Sequence, residues 1–131
     1  MKSFSVPTNK NKDVLDITET LQNLLEDNHY DNGILFVFVR HTTCAISTAD
    51  LDPGTDLDYL NALEKVAPKL NYNHPHDPSH FNDHLWSTLI GTSLTIPVED
   101  GKLLLGTWQR VVLFEFNGPR TRNISLSFVK E

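Results

Sequence analysis

Four histidines, His74, His76, His80 and His84, fall within eleven consecutive positions, and a fifth, His41, follows an apolar run. Imidazole nitrogen suits zinc and other borderline first-row metals. His80 and His84 lie four apart on a predicted helix, so they share one face and can reach one ion. His74 and His76 flank Pro75 in a predicted loop. A lone histidine is usually a surface or hydrogen-bonded residue. Clustering lifts some subset of these above that reading, with a histidine-enriched surface loop as the alternative. The sixth, His29, sits at a predicted helix end, where its charge suits the dipole.

Other candidates carry simpler explanations beside the chemical one. Cys44 and His41 suggest a thiol and its base, but residues three apart on an extended chain face opposite sides. Cys44 therefore reads as a small buried residue. Asp50, Asp52, Asp56 and Asp58 crowd around a turn. They can hold magnesium or calcium through oxygen, although capping and turn formation account for most of them. With a metal-activated water, Asp50 or Asp58 would be the general base. Gly106-Thr107-Trp108-Gln109 is a candidate bulge that aims Trp108 or Gln109 into a pocket, against a packed tryptophan. Arg120 and Arg122 form a compact basic pair, and Arg120 is the candidate grip on an anionic small molecule.

These side chains need a scaffold. A short strand is expected around Phe4–Pro7. Asp16 and Glu19 then form a capping-box pattern ahead of a helix carrying Ile17, Leu21, Leu24 and Leu25. Asn32-Gly33 turns the chain into the apolar run 34–39, expected to be a strand buried on both faces. The strand signal continues through His41 to Thr48. A second helix starts at a looser box, Thr55 to Asp58, and ends at Pro68. Residues 71–78 form a loop, and Ser79 is the expected cap of a third helix, Phe81 to Ile90, closed by Gly91. The remainder is strands: a hairpin of 94–98 and 102–105, a long apolar strand 108–116, and an alternating strand near 124–129. The class is α+β in one domain, residues 1–131, with a mixed, mostly antiparallel sheet and about three inserted helices.

Composition narrows the function. The 131 residues suit one domain with an ordinary core. A net charge of −6, with no Lys/Arg run longer than two, argues against nucleic-acid binding. No apolar stretch approaches the roughly 20 residues of a membrane span, and the first residues lack the apolar core of a signal peptide. With a single cysteine, the expectation is a cytoplasmic protein.

Several stretches, in order, carry a resemblance: His41-Thr42-Thr43-Cys44-Ala45-Ile46, Asn71-Tyr72-Asn73-His74, Asp83-His84-Leu85 and Gly91 to Val98. They continue with Gly101-Lys102-Leu103, Leu105 to Gln109, and Glu115 to Arg120. Together they resemble the YjbQ family, also called the secondary thiamine-phosphate synthase family. The resemblance implies an α+β fold, a homotrimer, and a divalent metal, zinc foremost with magnesium as the alternative, on His41, His74 and His84. It also implies thiamine-phosphate formation: a pyrimidine methyl diphosphate joined to a thiazole phosphate, with release of pyrophosphate. Arg120 would help stabilise the leaving diphosphate. Two features depart from the family pattern. Ser47-Thr48-Ala49-Asp50 stands where Asn-Glu is usual, and His80 stands where an asparagine is usual. A metal-dependent reaction on another small phosphorylated or acyl substrate therefore stands beside the implied one. A non-catalytic metal- or ligand-binding trimer is the alternative.

Overall fold

A computed structural model describes residues 1–131. In chain order the elements are β1 (Lys2–Pro7), β2 (Asp13–Asp16), α1 (Thr18–Asp27), β3 (Gly33–Val39), β4 (Cys44–Ala49) and α2 (Thr55–Val66). A 3₁₀ turn (Pro78–His80) leads into α3 (Phe81–Ile90), followed by β5 (Ser93–Glu99), β6 (Lys102–Leu103), β7 (Arg110–Glu115) and β8 (Thr121–Lys130). The strands form a five-stranded sheet, β1-β8-β3-β5-β6, and a three-stranded sheet, β2-β7-β4. Every strand pair is antiparallel, so the mixed sheet expected from the sequence is two antiparallel ones.

The layers follow from side-chain alternation along β7. Val111 and Leu113 face the five-stranded sheet, where they join Leu35, Val37, Ile124 and Leu126, with Leu21 and Leu25 of α1 in the same core. Val112 and Phe114 point the other way, into a second core with Ala45, Phe116 and Trp86 of α3. β7 is thus the strand with a layer on each face, which explains its unbroken apolar run. The similar run in β3 misleads. Leu35, Val37 and Val39 are buried, but Ile34 and Phe38 are 45% and 38% exposed, because nothing covers the outer face of the larger sheet.

Local details differ where polar side chains had alternatives. Asp16 does accept the Thr18 N–H at 3.0 Å, but Glu19 turns outward to Arg110 at 3.3 Å, so only half of the capping box forms. α2 begins after Gly54, whose φ of 89° turns the chain, and no side chain caps it. Ser79 does not cap α3. Its N–H and hydroxyl both donate to Asp77, at 3.0 and 2.6 Å, and the 3₁₀ turn carries the chain into the helix. β2 was not legible as a strand. β4 begins only at Cys44, so residues 41–43 form a bend between β3 and β4. No helix is long and apolar enough to cross a membrane.

Candidate functional site

That bend, the 3₁₀ segment with the first turn of α3, and the turn between β7 and β8 meet around a cleft of about 840 Å³. Five of the six histidines line it: His41, His74, His76, His80 and His84. So do Arg40, Arg120 and Arg122, three of the four arginines. No acidic or hydrophobic residue contributes to the lining. A chain of net charge −6 therefore concentrates its arginines around one opening, which favours anions there.

Hydrogen bonds fix how the imidazoles are presented. His84 Nδ1 lies 2.9 Å from the Thr42 carbonyl, and His74 Nδ1 lies 3.2 Å from the Asp77 carbonyl. A carbonyl only accepts, so Nδ1 is the protonated nitrogen in both rings, and in the neutral form the lone pair is on Nε2. Their centroids are 5.0 Å apart. This orientation by backbone oxygen is the usual support of a metal-ligating imidazole. His41 differs: its Nε2 accepts the Asn123 backbone N–H at 2.8 Å. The donor set therefore fits a borderline metal in kind, and His74 and His84 fit it in orientation. No three His, Cys, Asp or Glu side chains already stand in a ligating arrangement.

Beneath the cleft lies a buried ion pair. Glu115, with no exposed surface, accepts from Arg122 Nε at 2.9 and 3.0 Å, from the Thr8 hydroxyl at 2.6 Å and from the Asn117 N–H at 3.2 Å. Arg122 Nη2 also bonds Glu115 and reaches the Thr43 carbonyl and hydroxyl at 3.0 and 2.8 Å. The pair thus ties the 41–43 bend to the β7–β8 turn and to the N-terminal segment. Burial by itself raises the Glu115 carboxyl. The bonds from Arg122, Thr8 and Asn117 outweigh it and hold the group below the usual carboxylate range. Burial, with Arg122, Arg40 and Arg120 nearby, pushes the His41 imidazolium down, against the opposing charge of Glu115.

Of the other sequence candidates, Arg120 lines the cleft, with Nε donating to the Asn117 carbonyl at 2.7 Å. Asp50 and Asp58 do not line it. The Asp50 carboxylate faces the Asp52 N–H at 3.4 Å within its own turn, and Asp58 is exposed on α2. Gln109 bonds the Gly106 N–H at 3.0 Å and the Thr48 hydroxyl at 2.9 Å, which closes its own loop. Trp108 is 71% exposed and does not line the cleft. Cys44 is buried behind the bend, and burial pushes its thiol up to about 12, so it is no nucleophile. Glu115 was overlooked. The signal was present: one acid inside the run Val111 to Phe116 needs a buried partner.

Known proteins share this whole arrangement of elements. The family described as UPF0047 protein YjbQ-like matches residues 2–131. A UPF0047 protein of Archaeoglobus fulgidus is 38% identical over 92% of this chain and 94% of its own length. The UPF0047 protein YugU of Bacillus subtilis is 32% identical, covering 93% of each chain. Among solved structures, a hypothetical protein from Aeropyrum pernix K1 superposes with a TM-score of 0.90 at 35% identity, over 99% of this chain and 98% of that one. A YjbQ/UPF0047-family protein from Clostridium acetobutylicum gives 0.88 at 34% identity, over 98% and 100%. With one family matched from end to end and the same backbone in its solved members, this chain belongs to the YjbQ (UPF0047) family.

Proposed function

We propose that the cleft is a metal-assisted active site for a small phosphorylated substrate, with a divalent ion, zinc foremost, held by Nε2 of His74 and of His84. The observation that carries this reading is the pinning of both Nδ1–H groups on backbone carbonyls, which leaves two neighbouring lone pairs in one polar cleft. A bound ion supplies a Lewis acid for a phosphoryl or acyl oxygen. The chain's own contribution is electrostatic. Arg40 and Arg120 bind and orient phosphoryl oxygens, and Arg120 faces the charge that develops on a leaving diphosphate. Magnesium prefers oxygen ligands, so an imidazole lining suits it less well.

Thiamine-phosphate formation is the reaction the resemblance implies, and arginines around the cleft suit its two phosphorylated reactants. A second reading is binding without turnover, favoured by the lack of a carboxylate base in the lining. Assembly as a homotrimer is also proposed. Ile34, Phe38 and Val129 lie exposed on the outer face of the larger sheet, with Ile34 directly opposite Val129. Exposed apolar side chains gathered on one face mark an association surface. A cytoplasmic location suits the free, buried Cys44.

The test is the metal content of tag-free protein purified without added metal, beside a His84→Ala variant. About one zinc-like ion per chain is expected, lost in the variant. Wild-type protein that holds no metal and takes none up on titration sinks the metal reading. Sedimentation equilibrium on the same samples is expected to read the mass of three chains. A monomer at micromolar concentration retires the trimer.

A further inference from the structure

The cleft imidazoles do not all present the same edge. His74 and His84 hold their protons on backbone carbonyls and offer bare Nε2 atoms. His41 is held from the opposite side, by the Asn123 N–H donating to its Nε2 at 2.8 Å. A backbone N–H only donates, so Nε2 is the bare nitrogen and the neutral ring keeps its proton on Nδ1. That Nδ1–H has no partner within the protein. His41 stands in the lining with Arg40 and Arg120.

We infer that His41 is an anion-binding residue, its free Nδ1–H donating to a phosphoryl oxygen alongside Arg40 and Arg120, and that it is not a ligand of the metal. The inference rests on the proposed phosphoryl cleft and divides its labour: His74 and His84 take the cation, and His41 faces the anion. Ligation through Nε2 would have to displace the Asn123 N–H, which already occupies that lone pair at 2.8 Å. Ligation through Nδ1 would move the proton to Nε2 and set it against the same N–H. Charge points the same way. Burial first, then the guanidinium of Arg122, disfavours an imidazolium at His41 against the Glu115 carboxylate, and Arg40 and Arg120 add to the positive field that favours an anion before the ring.

His41→Gln is the discriminating variant. A glutamine oxygen can take the place of Nε2 as acceptor for Asn123, while the N–H at the Nδ1 position is lost. Zinc and inorganic pyrophosphate are titrated separately into wild type, His41→Gln and His84→Ala. Nitrogen-15 NMR of the wild-type imidazoles reads the tautomers without any ligand. Expected are a Nδ1-protonated His41, zinc affinity in His41→Gln within about threefold of wild type, and pyrophosphate binding weakened by roughly tenfold. A His41 proton on Nε2, or loss of zinc in His41→Gln as complete as in His84→Ala, overturns the inference. Wild type that takes zinc but no pyrophosphate overturns the anion role alone. Wild type that takes pyrophosphate but no zinc sinks the metal reading and leaves the role of His41 standing.

Discussion

Replacing Arg122 by alanine is expected to lower stability by about 3–5 kcal/mol, the cost of leaving a buried charge without its partner. Glu115 would remain, fully enclosed, with Thr8 and the Asn117 N–H as its remaining partners. Changing both members to apolar residues often rescues such a pair. Here it is expected to rescue only in part, because the hydroxyls of Thr8 and Thr43 and the Thr43 carbonyl all lose a partner. The loss also has a pH signature. The folded pKa of Glu115 lies below its unfolded value, so its stabilisation is present above roughly pH 4.3 and disappears as pH falls through the folded value. His41 has the same sign in a higher window, with stability lost as pH drops below about 6.5. Chemical denaturation from pH 7 to pH 3 is the measurement. Wild type is expected to weaken in two steps, and its advantage over Arg122→Ala to shrink through the lower one. A constant advantage across that range would show that the pair contributes no ionic stabilisation.

Trp86→Ala is expected to cost about 3–5 kcal/mol, as for other large aromatics removed from a core. Trp86 is 2% exposed, packs on Phe116 with centroids 5.4 Å apart, and donates its indole N–H to the Leu63 carbonyl at 2.9 Å. Lys12 lies 5.3 Å from the ring centroid and bonds Asp83 at 2.9 Å, so one cluster ties α3 to the N-terminal segment and to α2. His84 is on the same helix, two residues away. Its ring is placed by the seating of that helix against the 41–43 bend. The variant is therefore expected to bind zinc roughly tenfold more weakly, although Trp86 does not line the cleft. Thermal melts and zinc titration below the melting range separate the two effects. Unchanged zinc affinity in a destabilised variant would show that the Thr42 carbonyl alone is enough to hold His84 in place.

The order of strands and helices was legible because alternation and breakers act locally. Asn32-Gly33, Pro68 and Gly91 ended elements close to where expected. The clustering of His74, His76, His80 and His84 was likewise visible in the chain, and all four line one cleft. What a chain pattern cannot supply is the identity of the neighbouring layer. The runs in β3 and β7 look alike, yet only β7 is covered on both faces, since coverage depends on elements distant in sequence. Asp50, Asp58, Trp108 and Gln109 were grouped with the site by type and motif, but none of them lines the cleft. The Glu115–Arg122 pair and the grip of the Asn123 N–H on His41 arose only from packing. Residue types marked an imidazole cluster and Arg120 as separate candidates, and the fold brought them to one cleft. Only the tertiary structure decided which nitrogen of each imidazole is left free, because the competing donors and acceptors sit as many as 82 residues away along the chain.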